Sequence, residues 1–295
     1  MADGVDVALQ TVAAGLTNGA VYGLAALGVV LVLRASRIVS LAQGEAITMG
    51  ALGTWWLDLR WGWPRGIAAV VAVVAAAAVF ALSSRVVLLR GGGGASVDTL
   101  GVSLATLALA LFLQGLLFAA FGRELHGSAP MLGSSPFRVA GVTVPSQTVV
   151  MLATAAVVGA GSAAVLRWTM AGRAVVACSE NRLGAAVAGV DVRRVTTVTF
   201  GVAGALGALA GVLLAPVTIF SYVTGFGLAL RGLAAAALVG FRSAGAGLVA
   251  GLAVGVLEAV VSTHVSSGYQ EPFVAAVLIG ALVAWPSLSP AADDR

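Results

Sequence analysis

Gln43, Gly44 and Glu45 lie inside an apolar run that extends from about residue 38 to residue 58. Burying an amide and a carboxylate in hydrocarbon is costly unless both groups face protein or water. Membrane proteins that keep such groups commonly move a solute or an ion past them. We therefore expect these residues to line a translocation path, with capping of a broken helix by Glu45 as an equal alternative.

Two further charges fall within apolar runs. Arg231 lies near the start of the seventh run and Glu258 about twelve residues into the eighth. Either charge alone is expensive in a membrane, so we predict that the two, at similar depth if their runs are antiparallel, form an ion pair in the translocation path. In a self-contained carrier, Glu45 and Glu258 would instead serve as proton or cation sites.

Uncharged polar residues extend the candidate path. Asn18 lies in the first run and Gln114 in the fourth. Hydrogen bonding between helices is the favoured interpretation of both, and lining a polar path is the functional alternative.

The sequence offers little for covalent or metal chemistry. It contains two histidines, His126 and His264, and a single cysteine, Cys178, so we predict no metal site and no catalytic residue set. All 16 basic residues are arginine, which excludes a Walker A lysine, and they are too dispersed for a nucleic-acid surface. We expect no enzyme activity and no cofactor in this chain.

The elements that must hold these residues are membrane helices. Hydrophobic residues make up 60% of the chain, charged residues 9%, and the mean hydropathy is +1.04. This composition predicts an all-α, polytopic bundle of about 8–9 membrane segments in one domain covering 1–295. Apolar runs fall at about 7–33, 38–58, 67–89, 97–121, 147–166, 195–217, 229–241, 246–264 and 272–286. The seventh run is too short to cross comfortably, so it is a half-helix, a tilted crossing or one arm of a re-entrant pair.

The arginines predict an orientation. With the N-terminus outside and every run crossing, only five of the 16 arginines lie outside: Arg60, Arg65, Arg123, Arg138 and Arg231. The remainder lie in the cytoplasm, as the positive-inside rule requires. Glycines at helix-packing spacing line one face of the first run and one face of the eighth, and each face lets another helix backbone approach closely: Gly15, Gly19, Gly23, Gly247, Gly251 and Gly255.

Two long loops follow from this topology. The cytoplasmic loop 167–194 predicts a short helix between Gly172 and Gly189, with an apolar stripe of Val176, Leu183 and Val187. The external loop 122–146 predicts a short strand pair, 137–139 with 142–144, and is either a docking surface or a structured loop.

Several motifs recur in an order that resembles ABC-transporter permeases for branched-chain amino acids. The resemblance covers nearly the whole chain and rests on Asn18-Gly19, Tyr22-Gly23-Leu24, Leu41-Ala42-Gln43-Gly44-Glu45, Gly172-Arg173-Ala174, Ser179-Glu180-Asn181, Gly189-Val190-Asp191-Val192 and Ala235–Gly240. In that family the cytoplasmic loop docks in a groove of the ATPase. The resemblance thus implies ATPase-coupling roles for Arg173, Ser179, Glu180, Asn181, Gly189 and Asp191.

The resemblance implies an importer permease of the bacterial inner membrane that carries branched-chain amino acids or a related small solute. The implied partners are cytoplasmic ATPase subunits that bind ATP, an external solute-binding protein, and a second permease, with a heterodimer favoured over a homodimer. Ser40 and Gln43 replace the family's usual asparagine and histidine, so urea or a short amide stays open as the solute. The alternative is a self-contained channel or ion-coupled secondary carrier.

Overall fold

A computed structural model describes residues 2–36, 39–90, 99–128, 137–139, 142–241 and 243–284. Within these ranges the chain is helical apart from turns and loops, one 3-10 turn at Ser267–Tyr269, one antiparallel pair of short strands and an isolated bridge between His126 and Phe220. The helices are α1 (Ala2–Ser36), α2 (Gln43–Trp61), α3 (Arg65–Arg90), α4 (Thr99–Phe121), α5 (Ser146–Trp168), α6 (Met170–Glu180), α7 (Arg182–Val187), α8 (Val192–Leu214), α9 (Thr224–Leu238), α10 (Ala244–His264) and α11 (Gln270–Ala284).

Six of the described helices are long and apolar enough to cross a membrane: α1, α3, α4, α5, α8 and α10. Two shorter apolar helices, α9 and α11, fall below spanning length. The helix α2 has 19 residues but carries three charges, Glu45, Asp58 and Arg60. The all-α class is therefore confirmed in outline, whereas the predicted 8–9 membrane segments are not confirmed.

The centre of the bundle is α1. It packs against α8, α9 and α10, and 83% of its spanning window is buried, compared with 11% for α5. Because α1 is enclosed on nearly all sides, polar groups that face it are shielded from lipid. The peripheral helices α4 and α5 expose most of their surface instead.

The predicted glycine contacts form between α1 and α10. A Cβ atom placed at Gly15 would lie 2.6 Å from Val256 Cα, and one at Gly255 would overlap the backbone of Gly19. Contact runs from Gly15 opposite Gly255 to Gly23 opposite Gly251, so the helices are antiparallel. Their backbones approach as closely as small residues allow.

The helix α2 begins deeper in the bundle than the sequence predicted. The apolar run was expected from residue 38, but residues 39–42 are not helical and the first helical residue is Gln43. The Gln43 side chain reaches Gly28 on α1 and Ala203 on α8. At 1.5 Å per residue, Gly28 lies about 12 Å from the end of α1 and Ala203 lies about 16 Å from the start of α8. Glu45, expected seven residues into its run, is therefore the third residue of a helix that starts in the interior.

The contacts of α8 define two ends of the bundle. It runs parallel to α2, since Ala46 faces Gly207 and Ala51 faces Gly211. At the loop end, where α1 finishes, Arg182 Nη1 donates to the Ser36 carbonyl at 3.0 Å. The opposite end contains the last turns of α2 and α8.

The loops agree with the predictions in part. The strand pair is confirmed as the antiparallel strands β1 (Phe137–Val139) and β2 (Val142–Val144), with residues 129–136, 140 and 141 of the external loop outside the described residues. The single cytoplasmic helix expected between Gly172 and Gly189 is wrong. The segment forms α6 and α7, which break at Asn181, and Gly172 lies inside α6.

Candidate functional site

Gln43 is held in the interior by one hydrogen bond. Its Nε2 donates to the carbonyl of Ala203 at 2.9 Å, and its side chain is 1% exposed. A Cβ atom at Gly28 or Gly207 would lie within 2.9 Å of this amide nitrogen, so both glycines leave room for it. The Gln43 Oε1 has no hydrogen-bond partner among the described residues. One acceptor of the amide is thus open to a donor.

Glu45 is 2% exposed, and its Oε2 also lacks a partner in the described part of the chain. It lies in the first turn of α2, where the aligned peptide dipoles favour a negative charge. The N-cap residue of that helix, Ala42, provides no side-chain cap. A buried acceptor beside a helix N-terminus can bind an ammonium, a cation or a proton.

The first turns of α2 and α9 meet at two glycines. A Cβ atom at Gly44 would lie 2.5 Å from the carbonyl oxygen of Gly225, and one at Gly225 would overlap Gly44 and the Thr48 hydroxyl. Any larger residue at either position would push the two helices apart. The N-termini of two helices that begin inside the bundle thus converge next to Gln43 and Glu45.

The predicted ion pair between Arg231 and Glu258 is present. The Nε of Arg231 donates to Glu258 Oε1 at 2.9 Å, with side-chain exposures of 16% and 6%. The guanidinium also donates to the Gly227 carbonyl at 3.2 Å. Arg231 thus lies inside the bundle, so its assignment to an external loop is wrong.

Two neighbours of this pair were not expected from the sequence. The Arg231 guanidinium carbon lies 5.9 Å from the centre of the Tyr22 ring, and Glu271 on α11 is a further negative charge close to it. Tyr22 is 4% exposed on α1. The ion pair therefore joins α9 and α10 next to α1 and α11. The position of Tyr22 on the buried face of the first run is the sequence signal that could have indicated its contact with Arg231.

The remaining candidates of the predicted path do not gather around Glu45. Asn18 is half-buried on α1, and Gln114 is half-buried on α4, a helix that packs mainly against α2 and α3. Beside Asn18, Thr17 makes a hydrogen bond between helices, as expected of polar residues in these runs. Its hydroxyl lies 2.9 Å from that of Thr148 on α5.

Three of the predicted coupling residues shape the segment between α5 and α8. Asn181 Oδ1 accepts from the Gly184 amide at 2.8 Å and caps α7, and Asp191 Oδ1 accepts from the Arg194 amide at 3.0 Å and caps α8. Gly189 has φ +88°, a conformation that favours glycine. These residues therefore set the path of the backbone between α6 and α8.

The other coupling residues lie on the surface of the same segment. Arg173 and Glu180 are exposed, and the Ser179 hydroxyl donates to the Val176 carbonyl at 2.6 Å. The predicted apolar stripe is broken because Leu183 and Val187 are 68% and 84% exposed, whereas Val176 is half-buried. Apolar side chains this exposed at the loop end suit contact with another protein.

Comparison with known proteins identifies the family. The family model described as "Branched-chain amino acid transport system / permease component" matches residues 11–284. This chain belongs to that family. Membership makes it a permease component of a transport system, and its long apolar helices make it a multi-pass membrane protein.

Curated relatives of this permease match it along nearly its whole length. It is 27% identical to the high-affinity branched-chain amino acid transport system permease protein LivH of Salmonella typhimurium, with 95% of this chain and 94% of the relative covered. The LivH protein of Escherichia coli K12 is 26% identical over the same shares. A solved structure, PsaBC from Streptococcus pneumoniae in complex with Fab, gives a TM-score of 0.49 at 16% identity, covering 91% of this chain and 90% of that one.

Proposed function

We propose that this permease is the membrane subunit of an ATP-driven importer that moves branched-chain amino acids or a related small solute into the cytoplasm. The family match over residues 11–284 carries the proposal, and the two LivH relatives support the choice of solute. The permease resides in the bacterial inner membrane as one domain of the ABC-importer type. Membrane segments beyond the six long helices are α2, α9 and α11.

The translocation path follows the interior polar groups. Gln43 and Glu45 each present a buried oxygen that has no partner among the described residues, next to the contact of Gly44 with α9. A solute ammonium or amide would satisfy these acceptors. Asn18 and Gln114 extend the path outward, and the Arg231–Glu258 pair fixes the neighbouring helices. Alternating access would move packed helices as rigid bodies.

Energy enters through α6 and α7. The exposed side chains of Arg173, Glu180, Leu183 and Val187 support docking of this segment on a cytoplasmic ATPase, which binds the ATP. Because Arg182 hydrogen-bonds the last turn of α1, a displacement of α7 would be transmitted directly to the central helix. An external binding protein delivers the solute, and a different permease chain completes the pore.

Affinity purification from native membranes tests this assignment. A tagged permease should bring down an ATPase subunit, a second permease and a solute-binding protein. The Arg173→Ala, Glu180→Ala double variant should retain the second permease but bring down less ATPase than the wild type does. Purification of the permease without any ATPase, under conditions that preserve the wild-type fold, would argue against the proposal.

One observation favours a second candidate, an ion-coupled carrier. Glu45 is a buried carboxylate with an oxygen that has no partner among the described residues, which suits a proton or cation site. Its expected companion, Glu258, is already neutralised by Arg231. A carrier would work alone in liposomes and respond to an ion gradient, whereas an importer subunit would need its ATPase.

A further inference from the structure

A cleft of about 380 Å³ opens between the last turns of α2 and α4, at the end of the bundle opposite α6 and α7. Aromatic and aliphatic side chains form its walls: Trp55, Trp56, Leu59 and Phe121. Small-molecule sites in proteins typically occupy about 300–1,000 Å³ and combine apolar walls with a few polar groups. The cleft falls within this range.

One wall of the cleft is rigidly held. The His126 ring lies against the Trp55 ring with centroids 3.9 Å apart and planes tilted by 35°, and its Nε2 lies 3.3 Å from the Phe121 carbonyl oxygen. The backbone of His126 exchanges two hydrogen bonds with Phe220, at 2.8 and 2.7 Å. A wall that is fixed before a ligand arrives loses little entropy when the ligand binds.

Two opposite charges line the same cleft. Arg60 lies on the last turn of α2, and Glu124 follows α4. Both side chains are exposed, and the ion pairs found among the described residues do not join them to each other. The guanidinium therefore presents donors to an anion, and the carboxylate presents acceptors to a cation, along one partly open cleft.

We propose that this cleft binds a zwitterionic α-amino acid with an apolar side chain at the entrance to the permease. Arg60 binds the carboxylate, Glu124 binds the ammonium, and the aromatic walls cover the side chain. A molecule lacking either charge would leave Arg60 or Glu124 without a counter-ion. The proposal rests on the proposed function, since it locates the solute of that importer.

The cleft is connected to the interior site by two elements. The helix α2 runs without a break from Arg60 to Glu45. On the other side, His126 is hydrogen-bonded to Phe220, which lies four residues before the start of α9. The first turn of α9 in turn contacts Gly44. A ligand in the cleft would therefore contact a helix and a loop that both lead to Gln43 and Glu45.

Direct binding tests the proposal. The permease complex, reconstituted in phosphatidylcholine nanodiscs without binding protein, is titrated with radiolabelled L-leucine in a scintillation proximity assay. We expect saturable binding that Arg60→Gln and Glu124→Gln each weaken by about tenfold or more. Arg123→Gln is the matched control, because Arg123 neighbours Glu124 but lies 5.7 Å from the Phe118 ring and does not line the cleft.

Analogues separate the two charges. Isoamylamine lacks the carboxylate and isocaproate lacks the ammonium, so neither should displace leucine, whereas valine should. Equal binding by wild type and both cleft variants would overturn the proposal. Displacement by glycerophosphoethanolamine, with no effect of valine, would identify a lipid headgroup site and overturn it as well.

A parallel uptake assay distinguishes this inference from the proposed function. If wild-type complexes import leucine with ATP but show no cleft-dependent binding, only the cleft assignment fails. If no ATP-dependent import of any small solute occurs, the proposed function fails with it.

Discussion

Arg231 on α9 donates from its Nε to Glu258 Oε1 on α10 at 2.9 Å, across 27 residues of sequence. The side chains are 16% and 6% exposed, so neither charge has ready access to solvent. Buried charges are tolerated when they are paired, and removal of one partner leaves the other uncompensated. The pair therefore links two helices that flank α1.

This contact predicts non-additive effects on stability. Arg231→Met and Glu258→Gln should each lower the thermal unfolding temperature. The double variant should lower it by less than the sum of the two single decreases. A double-mutant cycle in detergent should give a coupling free energy of about 0.5–3 kcal/mol. The partly exposed pair Arg65 and Asp58, also 2.9 Å apart, is the control and should couple more weakly. Strict additivity for Arg231 and Glu258 would contradict the assignment.

The glycine contacts between α1 and α10 predict a second stability effect. A Cβ atom at Gly255 would overlap the backbone of Gly19, so Gly255→Ala must separate the helices. We expect a loss of about 1–3 kcal/mol, seen as a lower unfolding temperature. Gly115→Ala on α4 is the control, because a Cβ atom there meets nothing within 4 Å. Equal effects of the two substitutions would mean that α1 and α10 leave room for a Cβ atom at Gly255, which would contradict the close contact.

The exposed face of α6 predicts a loss of coupling without a loss of fold. Arg173→Ala combined with Glu180→Ala removes two surface side chains, so the free energy of unfolding should change by less than about 0.5 kcal/mol. Solute-stimulated ATP hydrolysis by the purified complex should fall towards its basal rate. Arg123→Ala, at the other end of the bundle, should leave stimulation intact. Wild-type stimulation in the double variant would dismiss the coupling role.

Sequence patterns predicted those features that depend on local composition. Apolar length predicted the long helices, and glycine spacing predicted that α1 and α10 each have a face for close helix packing, although not that these two faces meet. The cost of an isolated charge predicted the pairing of Arg231 with Glu258. The strand pair of the external loop was also predicted. Each of these follows from a physical requirement that acts on the segment itself.

The features that were missed depend on tertiary contacts. Residues 39–42 are as apolar as the helix that follows, so hydropathy could not show that α2 begins at Gln43. Asn181 caps α7 only because the backbone turns there, and the bond from Arg182 to Ser36 spans 146 residues. Neither the break nor the contact leaves a periodic signal.

Glu45 predicts a change in transport at constant assembly. Glu45→Gln keeps the size and most acceptors of the side chain but removes the charge. If Glu45 lines the path, transport should fall or the ranking of solutes should change, while the yield of assembled complex stays the same. If it only stabilises the start of α2, the substitution should be nearly silent. Binding-protein-dependent uptake, measured with matched amounts of assembled complex, separates these outcomes.

Uptake of radiolabelled leucine into proteoliposomes is the most direct test of the central claim. One set of vesicles contains the permease with its co-purified ATPase and second permease, and the other contains the permease alone. With binding protein outside and ATP enclosed, the first set should accumulate solute and the second should not. Accumulation by the permease alone, driven by an ion gradient and indifferent to ATP, would contradict an importer subunit.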